Sequence, residues 1–105
     1  MNLDRYTQKA QQALMEAQRL AQEGPHSAIE PAHLLLSLVR QPEGVVAAII
    51  TRIVGSAALL AEELQKDLAA RPKVYGSTEQ PGISRALSDT LTAAERQAGS
   101  MKDEY

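Results

Sequence analysis

The chain has 105 residues, a formal net charge of −2 and no cysteine, so it forms one domain or part of one and holds neither disulfides nor thiolate zinc sites. Phosphate binding needs a concentrated excess of Lys and Arg, and this charge argues against a nucleic-acid partner. Three tyrosines, with no Phe or Trp, leave aliphatic residues to form the core, which favours an all-α fold. No apolar run reaches the roughly 20 residues that span a bilayer, so we expect a soluble protein without a membrane partner.

The first predicted helix is amphipathic. Its apolar residues, many of them alanine, recur every three or four positions from Tyr6 to Ala21, which is the spacing of one helix face. Asn2 or Asp4 is the predicted N-terminal cap, and Gly24 with Pro25 is predicted to end the helix. Small residues on this face predict close packing against a neighbouring helix.

Three more helices are predicted before residue 72. Pro31 begins a leucine-rich helix, because proline suits the first helical turn. The segment Val45–Val54 is rich in β-branched residues but lacks the alternation of a strand, so we predict a short helix. Gly55 is predicted to end it and Ser56 to cap the next, which stops before Pro72.

The remaining chain divides into a linker and a last helix. Residues 73–82 have no periodicity and predict an exposed linker. An apolar stripe from Ile83 to Met101 predicts the last helix. A shift of 77 positions places Leu14 on Leu91 and aligns three further identical residues, which suggests a tandem repeat. The predicted organisation is a first repeat of four helices at 1–70, a linker at 71–82 and the first helix of an incomplete second repeat at 83–105.

The sequence shows no pattern of catalytic residues. No serine lies in a nucleophile-elbow context, and no glycine-rich phosphate loop is present. His33 lacks a second metal ligand at helical spacing, so we interpret it as a structural histidine bonded to backbone or carboxylate. His26 is predicted to face solvent from a turn. We therefore predict that the chain is not an enzyme and needs no cofactor.

Several motifs, taken in order, resemble the Clp N-terminal domain, and within it the branch of ClpB-type AAA+ disaggregases. The resemblance covers the whole chain. It rests on the segment Leu3-Asp4-Arg5-Tyr6-Thr7, on Ile29-Glu30-Pro31-Ala32-His33-Leu34-Leu35, on Gly44 before the third helix and on Tyr75-Gly76 in the linker. It implies an all-α Clp N-domain-like bundle built from a tandem repeat.

The resemblance also implies a function and its residues. By this resemblance, the domain binds unfolded or aggregated polypeptide and passes it to AAA+ modules, which form a hexameric ring and bind ATP. The resemblance also implies a cytoplasmic location and cooperation with a DnaK-type chaperone system. Thr7 matches a threonine of the first helix that is implicated in substrate binding, Asp103 matches one member of an acidic pair, and Leu91 matches a leucine of the apolar substrate groove. Ala93 departs from the family pattern, in which a larger apolar residue can occupy that position.

Each of these assignments has an alternative. A threonine near a helix start commonly bonds its own backbone, adjacent acidic residues such as Asp103 are usually solvated, and the Leu91 stripe has the spacing of a core face. The chain also fits an adaptor-docking domain of the ClpC or ClpA branch. An unpaired apolar face on an incomplete repeat would instead fit a helical oligomerisation module that self-associates.

Overall fold

The computed structural model describes residues 6–76 and 80–101, and these form five helices and one pair of very short strands. The helices are α1 (Gln8–Glu23), α2 (Pro31–Val39), α3 (Val45–Val54), α4 (Ala57–Ala70) and α5 (Arg85–Met101). Strands β1 (Ala28–Ile29) and β2 (Gly82–Ile83) pair in parallel, with Ala28 opposite Gly82 and Ile29 opposite Ile83. The predicted all-α class is confirmed.

The starts of α1 and α5 differ from the prediction. Thr7 caps α1, since its Oγ1 accepts a hydrogen bond from the backbone N–H of Ala10 at 3.2 Å. The helix therefore begins after Tyr6, and the predicted caps Asn2 and Asp4 lie outside the described residues. Ile83 belongs to β2 rather than to the last helix, which begins two residues later.

The middle helices follow their local sequence signals. Pro31 is the first residue of α2, and the β-branched segment Val45–Val54 is helical as predicted. Gly55 ends α3 in the left-handed region, with φ of 89°, a conformation that glycine adopts at little cost. Ser56 caps α4, accepting the N–H of Leu59 at 3.2 Å.

The core lies where α1, β1 and α5 meet. Ala17, Ala21, Ile29 and Leu87 form its buried cluster, and three partly buried residues pack against it, namely Leu34, Ile83 and Leu91. The predicted close packing of the alanine-rich face is observed, because Ala17 and Ala21 are fully buried. α2 lies between α1 and α4, and the β1–β2 pair holds the start of α5 against the same core.

The segment between α4 and β2 is exposed over residues 72–76. It is tied back to the α1–α2 turn, because the N–H of Val74 donates to the carbonyl of Pro25 at 3.0 Å. Pro81 is buried and Gly82 is already in β2. Regular structure therefore begins at the last residue of the predicted linker.

Across residues 6–76 and 80–101, no single helix has both the length and the apolar content to cross a bilayer. α3 and α4 meet these criteria only as a pair, with a bend of 98° between them.

Candidate functional site

A small apolar groove opens between the N-terminal half of α1, the middle of α2 and α5. Its volume is about 130 Å³. The lining is aliphatic apart from one tyrosine and consists of Tyr6, Ala10, Leu14, Leu34, Leu38, Leu91 and Ala94. Cavities of about 150 Å³ with apolar walls hold one benzene-sized group, so this groove accommodates a single apolar side chain.

Tyr6 fixes one end of the groove. Its hydroxyl donates a hydrogen bond to Oε1 of Glu95 at 2.9 Å, and its carbonyl accepts one from Nε2 of Gln11 at 2.9 Å. The tyrosine ring is buried against the aliphatic wall. Because Glu95 belongs to α5 and Gln11 to α1, these bonds hold the two walls of the groove at a defined separation.

The structure places two of the three predicted site residues at or beside this groove. Leu91 lines it and also packs against the buried core cluster, so its side chain serves both the core and the groove. Thr7 follows Tyr6 directly and caps α1, and its side chain is not part of the lining. Asp103 lies outside the described residues.

Sequence reasoning missed most of the groove lining. Tyr6, Ala10 and Leu14 are spaced by four residues, as are Leu34 and Leu38, so each row was visible as one helix face. The pattern did not indicate that the two rows face α5. Ala93, whose small size departs from the family pattern, is exposed, and its neighbour Ala94 lines the groove.

A second, polar cavity of about 380 Å³ lies on the other side of α2, beside the α1–α2 turn. It is lined by His26, Ser27, Ala28, Glu30, His33, Arg71 and Pro72. His33 is completely buried, and Arg71 is held by Asp67 at 2.9 Å. This cavity is the competing candidate for a site.

Its two histidines form a continuous chain of hydrogen bonds. The N–H of Glu30 donates to Nδ1 of His33 at 2.9 Å, so the proton of the neutral His33 ring is on Nε2. That nitrogen lies 3.0 Å from Nδ1 of His26, and Nε2 of His26 lies 2.9 Å from the carbonyl of Leu68. A carbonyl can only accept, so His26 donates to it and accepts from His33.

This chain of bonds explains both histidines. His33 is structural, as predicted, whereas the prediction that His26 faces solvent is wrong, because its ring is half-buried and bonded at both nitrogens. Burial, followed by the proximity of His26 and of the Arg71 guanidinium, lowers the pKa of His33 to about 4. His33 is therefore neutral at physiological pH.

The polar cavity offers little chemistry of its own. Within the described ranges, no group of three or more His, Asp or Glu side chains could hold a metal ion. Both imidazoles are used in joining the α1–α2 turn to the end of α4. We conclude that the histidine pair supports the fold and that the apolar groove is the better candidate site.

Comparisons with known proteins agree with the resemblance seen in the sequence. Residues 5–105 match the family described as the Clp repeat (R) N-terminal domain. The chain is 37% identical over 108 residues to the chaperone protein ClpB of Nitratidesulfovibrio vulgaris and 34% identical over 105 residues to that of Meiothermus ruber. Both alignments cover 100% of this chain, which spans 12% of the length of either relative.

The fold is also found among solved structures. One chain, described as "Preliminary structural investigations of a malarial protein secretion system", superposes with a TM-score of 0.78. The superposition covers 93% of this chain and 67% of that one, at 21% sequence identity. At this identity the likeness concerns the fold alone.

Proposed function

The chain belongs to the Clp repeat N-terminal domain family, and from that premise we propose that its apolar groove captures exposed apolar side chains of unfolded or aggregated polypeptide. The relatives are chaperones named ClpB. The observation that carries the proposal is the groove itself, a concave and almost wholly apolar surface between α1, α2 and α5.

The size of the groove suits weak and repeated capture. Ligand pockets usually measure about 300–1,000 Å³, and a groove of about 130 Å³ admits one side chain at a time. Burying one aliphatic side chain gives about 1.5–3 kcal/mol, much of which is offset by the cost of ordering the bound segment. Fast release follows, and a domain that passes its substrate on requires fast release.

Thr7 and Asp103 remain predictions in this function. The cap uses one lone pair of the Thr7 hydroxyl, whose own O–H can still donate to a backbone carbonyl of a bound segment. Thr7 adjoins Tyr6 at the end of the groove, which is a suitable place for that contact. Asp103 would add negative charge for basic segments of the substrate.

Ala94→Glu tests the groove without removing core volume, because Ala94 is exposed and lines it. Ala93→Glu is the matched control, since the adjacent position is exposed, carries the same side chain and lies outside the lining. We expect Ala94→Glu to weaken binding of reduced, carboxymethylated α-lactalbumin by at least about tenfold in fluorescence anisotropy. Ala93→Glu should change it by less than about twofold.

Equal effects of the two variants, or no effect of either, would contradict the groove as the binding site. Leu91→Ser is a useful third variant, because loss of binding with retained helicity assigns Leu91 to the groove. A large loss of helicity assigns it chiefly to the core. Thr7→Ala should weaken binding with a small loss of helicity, because it also removes the cap of α1.

The wider function follows the family. We propose that the domain hydrolyses nothing itself and passes substrate to AAA+ modules of a longer protein, which assembles as a hexameric ring in the cytoplasm and works with a DnaK-type chaperone system. Docking of an adaptor protein, as in the ClpC and ClpA branches, would use the same surface. Competition between an adaptor protein and unfolded substrate for the groove would identify this second function.

A further inference from the structure

The outward face of α3 is unusually apolar for a helix on the surface of a small domain. No residue of α3 is buried, and Val45, Ile49 and Ile53 are 73%, 49% and 72% exposed. These three residues are spaced by four and lie along one side of the helix. Val46, Ala47 and Ile50 are half-buried, so the adjoining side of the helix contacts the rest of the domain.

We define the α3 surface as the exposed residues Val45, Ala48, Ile49, Arg52 and Ile53. Contiguous exposed apolar surfaces of this kind commonly mark interaction sites. Ala48 lies near the middle of the helix, and its small side chain lets another helix approach closely. Neither the apolar groove nor the polar cavity includes a residue of α3, so the surface is separate from both.

The charges around α3 indicate what covers it. Glu43 precedes the helix and Arg52 lies in its last turn; both are exposed, and neither forms an ion pair with another described residue. They stand at opposite ends of the apolar row. A surface with a negative group at one end and a positive group at the other is complementary to a second copy that is rotated by 180° about an axis perpendicular to the helix.

We propose that the α3 surface pairs with the α3 surface of a second copy of this chain, with the two helices antiparallel. With Ile49 at the centre, Val45 of each copy meets Ile53 of the other. Arg52 then lies opposite the first turn of the other helix, which directly follows Glu43 and Gly44 of that copy. A parallel arrangement would place Arg52 against Arg52, which like-charge repulsion disfavours.

A lipid surface is less well matched. Helices that lie on membranes carry several Lys or Arg residues beside the apolar face. α3 carries one arginine, and the exposed charged residue that precedes the helix, Glu43, is acidic. A pair of ten-residue helices also buries less than the roughly 800 Å² per partner of a standard interface, so the association is weak.

Sedimentation equilibrium from about 10 µM to about 1 mM, a range suited to small interfaces, measures this association. The unmodified chain should pass from monomer towards dimer across the range, and Ile49→Glu should keep it monomeric. Met15→Glu is the matched control, because Met15 is an exposed apolar residue of α1, and it should leave the dimer intact. Circular dichroism checks that both variants remain folded.

A charge swap tests the antiparallel register. Glu43→Arg and Arg52→Glu should each weaken the dimer by about tenfold, and the double variant should restore it. A chain that stays monomeric at about 1 mM, or equal effects of Ile49→Glu and Met15→Glu, would overturn the proposal. A double variant that dimerises as weakly as either single variant would overturn the antiparallel arrangement. If the monomer floats with phosphatidylglycerol vesicles and Ile49→Glu abolishes this flotation, the surface binds lipid instead.

Discussion

α1 and α5 begin with the same local structure. The hydroxyl of Thr7 accepts the N–H of Ala10 at 3.2 Å, and the hydroxyl of Ser84 accepts the N–H of Leu87 at 3.0 Å. The following backbone bond, from residue 11 to Thr7 and from residue 88 to Ser84, is 2.9 Å in both helices. The two helix starts are 77 positions apart in the sequence, which is the shift that aligned Leu14 with Leu91.

The two helices differ in what covers them. α1 is packed along α2 and buries Ala13, Leu14, Ala17 and Ala21. α5 buries Leu87 in its first turn and Ala98 near its other end, and the α1 counterpart of Leu87, Ala10, is half-buried. The shared spacing of apolar residues therefore determines that both segments are helical and which face is apolar. The neighbouring elements determine how deeply that face is buried.

Leu87→Ala is the largest expected disruption, and it tests how strongly α5 depends on Leu87 as an anchor. Leu87 is 0% exposed and belongs to the core cluster. Leucine-to-alanine changes in such positions cost about 2–5 kcal/mol. Urea denaturation should therefore show a loss in this range, against less than about 0.5 kcal/mol for the exposed control Gln97→Ala. A loss below about 1 kcal/mol for Leu87→Ala would contradict its role as the anchor.

Acidification should destabilise the domain through His33, which lies in α2, the helix that packs along α1. The pKa of His33 is lowered from 6.5 to about 4 by burial, so the unfolded chain binds the proton more tightly than the folded one. The contribution of neutral His33 to the free energy of unfolding is therefore fully present above pH 6.5 and is lost as the pH falls towards 4. The loss approaches about 1.4 kcal/mol per pH unit and totals less than about 4 kcal/mol.

Urea denaturation between pH 4 and 7 measures this slope. His33→Gln removes the titrating group. The slope of its free energy of unfolding against pH should therefore correspond to about one fewer bound proton than in the unmodified chain over the same pH range. The variant is also expected to be less stable at pH 7, because it breaks the bond to His26. An unchanged slope in His33→Gln would show that other groups cause the acid sensitivity.

Much of the fold could be predicted because its signals are local. Pro31, Gly55 and Ser56 act within one helical turn of their own positions, and each has its predicted role. α3 was predicted as a helix in spite of its β-branched residues, since it lacked the alternation of a strand. Element type was thus accessible from neighbouring residues alone.

The rest depended on residues far apart in the sequence. His26 bonds the carbonyl of Leu68, 42 positions away, and a lone histidine in a turn carries no sign of that partner. The β1–β2 pair is two residues long on each side, too short for a periodic pattern. Leu91 was identified through the family resemblance, whereas the opposite wall of the groove is defined by how α1 and α2 pack.

The two caps offer the smallest effect and the most direct comparison. Thr7→Ala and Ser84→Ala each remove a hydroxyl that accepts one helix N–H, a change that costs about 0.5–2 kcal/mol. Because the caps have the same geometry, we expect losses within about 0.5 kcal/mol of each other in urea denaturation. The exposed Ser88→Ala is the control and should cost less than either. A much smaller loss for Ser84→Ala would mean that the β1–β2 pair, in which Ile29 accepts the N–H of Ser84 at 3.0 Å, already fixes the start of α5 without its cap.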